Sequence, residues 1–96
     1  MAMFLVVLSR SGPEWDASLP MVGQQQWSEH AAFMDDLVER GFLILGGPLW
    51  DETRVVYAVE AESEHAVRSR LANDPWNETT LVIESIDAWT IRLDGR

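Results

Sequence analysis

The sequence predicts one α+β domain of ferredoxin-like βαββαβ type over residues 1–96. Three observations point to it. Four short aliphatic or β-branched runs and two amphipathic segments follow one another in the order β-α-β-β-α-β. The second and third runs are joined by a link short enough for an antiparallel hairpin. The chain has 96 residues, enough for one domain and not two.

Met3–Ser9 (MFLVVLS) reads as a buried strand bounded by Arg10-Ser11-Gly12-Pro13. Ser11–Gly23, with two prolines and two glycines, reads as a loop. Its length is that of loops that often act as lids, and it carries Trp15. Gln24–Arg40 is expected to be helical, because Trp27, Ala31, Met34 and Val38 recur at helical spacing and Phe33 and Leu37 widen the stripe. Ser28 would cap a late start, and Gly41 is a suitable stop. Phe42–Leu49 and Arg54–Glu60 are the second and third strands. Ser63–Asn73 is the second helix, with Ser63 as N-cap and Ala66, Val67 and Leu71 inward. Asp74-Pro75 ends it, since a residue before proline avoids helical dihedrals. Leu81–Leu93 is a long fourth strand whose alternation breaks at Ile86 and Asp87, where a bulge or a change of facing is expected.

Two crossovers of this kind give a four-stranded antiparallel sheet with both helices on one face. The opposite face then needs cover that no further element supplies. A second copy of the chain is the economical solution, so a homodimer is expected.

Composition narrows the function classes. The net charge is −9 and all seven basic residues are arginine. Such a surface repels phosphate backbones and anionic lipid, which argues against nucleic-acid and membrane partners. No cysteine is present, which excludes thiolate catalysis, disulfides and Cys-based zinc sites and fits a reducing, cytoplasmic location. Met1–Leu8 lacks a basic n-region, and no run approaches the roughly 20 apolar residues of a membrane span. Five tryptophans are many for this length, and large aromatics line pockets as well as cores.

Two histidines are present. His30 lies beside the apolar stripe of the first helix, where it is either a packed or surface residue or a proton-transfer group. His65, in the first turn of the second helix, is expected to be solvated. Asp74 is either a turn carboxylate bonded to its own backbone or a partner that orients a histidine. The two helices share a sheet face, so His30 and Asp74 are free to meet. Asp35-Asp36 reads as a solvated pair. Gly46-Gly47-Pro48 precedes a strand, not a helix, and so is no phosphate loop. No second histidine stands at metal-ligand spacing from His30.

Together these segments resemble the YciI-like (YCII-related) family of the dimeric α+β barrel group. The residues concerned are the FLVVL strand, Trp27-Ser28-Glu29-His30-Ala31-Ala32-Phe33-Met34, and Gly41 to Leu49 (GFLILGGPL). Ser63-Glu64-His65-Ala66-Val67, Asn73-Asp74-Pro75-Trp76 and Trp89-Thr90-Ile91-Arg92 complete the set. The resemblance spans essentially the whole chain and rests on the ordered set, since no single motif is specific. It implies two subunits with sheets face to face, and an active site at His30 and Asp74. It also implies lyase-type chemistry, such as hydrogen-halide elimination from aromatic compounds; related barrels include isomerases and metal-free monooxygenases. The long Trp15 loop and the tryptophan content set this chain apart from the shortest members and point to an aromatic or apolar ligand.

The expectation is therefore a cofactor-free, metal-free enzyme of lyase or isomerase type acting on a small organic molecule. His30 would be the general acid or base, and Asp74 would hold its tautomer and support the imidazolium. Trp15, Phe33, Trp50 and Trp76 are the expected substrate-binding walls. The alternative is a non-catalytic small-ligand binder or accessory dimer of the same fold.

Overall fold

The computed structural model describes all of residues 1–96. Strands β1 (Ala2–Ser9), β2 (Leu43–Pro48), β3 (Arg54–Ala61) and β4 (Val82–Trp89) form one sheet in the order β2-β3-β1-β4. Every pairing is antiparallel. Helix α1 (Trp27–Glu39) connects β1 to β2, and α2 (Glu64–Leu71) connects β3 to β4. The architecture is the ferredoxin-like α+β arrangement that the element order predicts.

Strand alternation sorts the residues into two faces. Phe4, Val6 and Leu8 of β1 and Val55, Tyr57 and Val59 of β3 are buried beneath the helices, with Leu37, Val67 and Leu71 packed above them. Met3, Leu5, Val7, Val56 and Ala58 point the other way.

Helix α2 begins as expected: the Ser63 side chain accepts from Ala66 N–H at 3.1 Å. The end of α1 is a Schellman turn. Gly41 has φ +75°, its N–H bonds to Val38 O, and Phe42 N–H reaches Leu37 O. The start of α1 differs from expectation. The helix begins at Trp27 rather than Gln24, and its N-cap is Gln26 in the left-handed region (φ 60°), not Ser28. Gln24 is unavailable to the helix because its buried side chain holds the preceding loop. It accepts from Asp16 N–H at 2.9 Å and donates to Asp16 O and Leu19 O. Within that loop, Met21–Gly23 forms one 3₁₀ turn.

The β2–β3 hairpin turns on Asp51, whose carboxylate accepts from Arg54 Nε at 2.8 Å and from the N–H groups of Thr53 and Arg54. The Arg54 guanidinium, helped by those N–H groups, holds the Asp51 carboxyl down at about 2.

Strand β4 is shorter than predicted, and its irregularity lies elsewhere. Val7 pairs with Ser85 and Leu8 with Ile83, so Glu84 is the extra residue, rather than Ile86 or Asp87. The bulge reverses the alternation. Ile83 shares the helix-covered face with Leu8, whereas Trp89 pairs with Met3 on the uncovered one. A second bulge at Ile44 brings Leu45 opposite Ala58 and Gly46 opposite Tyr57. No helix is long and apolar enough to cross a membrane.

Candidate functional site

The first turn of α1 carries His30, whose backbone N–H makes the first helical bond to Gln26 O. The turn after α2 carries Asp74, Pro75 and Trp76. These two points converge. His30 Nδ1 lies 2.8 Å from Asp74 Oδ1 and 3.0 Å from Oδ2. Both residues are buried, at 6% and 7% exposure. Asp74 Oδ1 also accepts from Trp76 N–H at 2.9 Å, so the turn that ends α2 aims the carboxylate.

Trp76 completes the clamp. Its indole stacks on the imidazole with centroids 4.0 Å apart and planes at 9°. Its Nε1 donates to Gln25 O at 2.6 Å, which ties the Asp74 turn to the residues just before α1. Trp27 leans on both rings, at 6.0 Å from His30 and 5.7 Å from Trp76. A carboxylate only accepts hydrogen bonds, so Nδ1 carries a proton and the neutral ring has its lone pair at Nε2. Nε2 has no partner within the chain.

His30 and Trp76 form part of the wall of an open cavity of about 470 Å³. Trp27, Ala31, Met34 and Val38, the helical stripe read from the sequence, line it along α1. Those four residues thus face a space between helix and sheet, while His30 and Leu37 are the buried residues of α1. Gly46, Gly47 and Pro48 wall the cavity with nearly bare backbone. The volume lies within the roughly 300–1,000 Å³ of small-molecule sites, and the lining is mainly apolar as such sites are.

The expected aromatic walls divide. Trp76 lines the cavity. Trp15 does not, but stands edge-on against Trp76 at 6.4 Å behind it. Phe33 packs against the hydrophobic core instead. Trp50 is fully exposed in the hairpin turn, where nothing covers it. His65 is exposed. Asp36 pairs with Arg40 at 2.7 Å, whereas Asp35 borders the cavity.

Among the wall residues that the sequence did not mark as candidates are Arg10, Tyr57 and Leu81. Tyr57 carried a usable signal, a polar ring at an inward position between Val55 and Val59. Arg10 lies with its guanidinium carbon 5.0 Å above the Trp15 ring. It donates from Nη1 to Glu52 O and from Nη2 to Met21 Sδ, while its buried Nε has no partner. The loop bearing Trp15 is held down at Gly12 and Glu14, whose N–H groups bond to Thr80 O and Thr79 O. No group of three or more His, Cys, Asp or Glu side chains has the arrangement of a metal site.

No profile of a known protein family matches the chain. No curated protein sequence matches it either.

Proposed function

We propose that the protein is a cofactor-free enzyme of lyase or isomerase type that moves a proton on a small, apolar organic molecule. The observation that carries this reading is the buried His30–Asp74 pair, bonded through Nδ1, with Nε2 unpartnered at the wall of an apolar cavity. In this scheme Nε2 takes a proton from the bound molecule, and Asp74 holds the tautomer and supports the imidazolium that forms. The Trp76 stack and the Asp74 bond fix the ring in two directions, so little reorganisation precedes transfer. Positioned acid–base groups contribute on the order of 10²–10⁴ in rate.

The same reading groups the chain with the YciI-like family and its dimeric α+β barrels, as the resemblance implies. The apolar sheet face around Leu5, Val7, Val56 and Ala58 has no helix over it, which supports a homodimer closed sheet to sheet. A cytoplasmic location is proposed on the cysteine-free composition.

The test is a panel of small apolar compounds incubated with the protein in deuterated buffer and followed by NMR for C–H exchange, isomerisation or elimination. Turnover by the wild type that disappears in both His30→Ala and His30→Gln, with folding retained, is the expected result. Turnover retained in both variants would overturn it. Binding without any turnover would favour the non-catalytic ligand binder.

A further inference from the structure

Tyr57 is the only tyrosine in the chain. It lies on the helix-facing side of β3, opposite Val6 on β1 and Gly46 on β2. It is 4% exposed and lines the cavity together with His30 and Trp76. A buried phenol hydroxyl ordinarily finds a hydrogen-bond partner. This one bonds to no group of the chain. Nor is it sealed away, since Arg10 Nε is the one buried side-chain atom both closed to solvent and unpaired. The hydroxyl therefore opens on the cavity with its donor unused. Burial, and then the negative charge of Asp74, push its ionisation well above the ordinary tyrosine range, so the donor keeps its proton. Gly46 leaves room for the ring: a Cβ there would stand 3.0 Å from Tyr57 Cδ1.

We infer that Tyr57 is the hydrogen-bond donor that orients the ligand, and that the ligand is a neutral, mainly apolar molecule with a carbonyl oxygen. The inference rests on reading this cavity as a small-molecule site and adds the class of molecule. Neutrality follows from charge. The chain carries −9, Asp35 borders the cavity and Asp74 lies behind His30. The one cation in the wall, Arg10, spends both terminal nitrogens on Glu52 O and Met21 Sδ and lies on the Trp15 face, and its unpaired Nε is buried out of a ligand's reach. Apolar character follows from Met21, Met34, Leu43 and Val55 in the lining. A carbonyl suits the two polar groups, because it only accepts, as a fixed donor requires. The C–H bond beside it is acidic enough to meet a bare imidazole nitrogen.

The step balances within one molecule. The C–H bond next to the carbonyl breaks and its proton goes to His30 Nε2. Its electron pair forms a C=C bond, and the carbonyl π pair moves onto oxygen, where the Tyr57 O–H holds it without giving up its proton. In a molecule with a C=C bond one carbon further along, the electron pair extends to that bond's far carbon. Return of the proton from Nε2 to that far carbon re-forms the C=O and leaves the double bond conjugated with the carbonyl, which completes an isomerisation. Return to the first carbon gives exchange.

The experiment is a ¹⁵N-HSQC titration of the wild type, Tyr57→Phe and His30→Gln with three probes: acetophenone, isopropylbenzene of similar shape, and anionic benzoate. Tyr57→Phe breaks no bond within the chain, so its thermal stability should be unchanged. It should bind acetophenone roughly five- to tenfold more weakly and isopropylbenzene equally well. His30→Gln should keep the wild-type preference for acetophenone over benzoate. Gly46→Ala, which crowds the phenol, should reproduce the loss for acetophenone. The inference is overturned if acetophenone fails to bind the wild type, if Tyr57→Phe binds it undiminished, or if benzoate binds more tightly. Weaker binding in Tyr57→Phe without proton transfer in the wild type leaves Tyr57 a ligand donor and removes the acid–base reading. His30-dependent turnover with undiminished binding in Tyr57→Phe does the reverse.

Discussion

His30 lies flat on Trp76, with ring centroids 4.0 Å apart and planes at 9°, and the backbone N–H of Trp76 bonds to the carboxylate that holds His30 Nδ1. One short turn thus supplies the acceptor and the stacking surface for a ring on the other helix. Asp74→Ala leaves two donors, His30 Nδ1–H and Trp76 N–H, without a partner. It should destabilise the fold by roughly 2–4 kcal/mol in urea unfolding. Asp74→Asn keeps an acceptor for Trp76 and should cost less. Equal losses in the two variants would mean that the bond to Trp76 contributes little.

Gly12 packs where no side chain fits. A Cβ there would stand 2.4 Å from Thr79 O and 2.7 Å from Thr80 N, both backbone atoms. Gly12→Ala must move either the loop or the 79–80 segment, at a cost of about 1–3 kcal/mol or more. Because Trp15 rides on that loop against Trp76, tryptophan fluorescence should change along with the melting temperature. A melting temperature equal to wild type would contradict the packing.

Tyr57 sets an alkaline limit. The chain has one tyrosine, no lysine and no cysteine, so its phenol is the only side chain that titrates between about pH 9 and 12. Burial first, and Asp74 second, raise its ionisation in the folded state. In that window the folded chain binds more protons than the unfolded one. Stability is therefore complete below about pH 10 and falls as pH rises through the folded value. Tyr57→Phe should flatten this decline in urea midpoints measured from pH 8 to 12. Tyrosinate absorbance appearing near pH 10 with the fold intact would contradict it.

The uncovered sheet face yields a separate test. Val56 lies on central strand β3 opposite Val7 and Gly47, on the side without helices. Sedimentation of the wild type should give twice the 10.9 kDa chain mass. Val56→Asp should shift it to the monomer without unfolding it. A monomeric wild type at high micromolar concentration would remove the sheet-to-sheet dimer.

Local signals were legible where the chain decides its own geometry. The Ser63 cap and the Gly41 stop need only a few neighbouring residues, whereas α2 ends at Leu71, two residues short of the expected Asn73, in turns that lead into Asp74-Pro75. The β4 bulge is a matter of register with β1, so the sequence of β4 alone placed it two to three residues late. The start of α1 was hidden for a similar reason, since Gln24 serves residues five to eight positions upstream. His30 and Asp74 were legible as a pair through the resemblance, and the fold brings them together. Trp50 looked like a pocket wall by residue type, but a hairpin turn puts it in solvent. Tyr57 showed only as a polar ring at an inward strand position, and that its hydroxyl is unpaired is a matter of three-dimensional contacts, as are the bonds that engage Arg10.

The most direct test of the central claim is the tautomer of His30, read from its ring ¹⁵N shifts in long-range ¹H–¹⁵N spectra at a pH where the ring is neutral. The structure predicts a proton on Nδ1, facing Asp74, and a bare Nε2 facing the cavity. A proton on Nε2 with Nδ1 bare would leave no base at the cavity wall and would contradict the account.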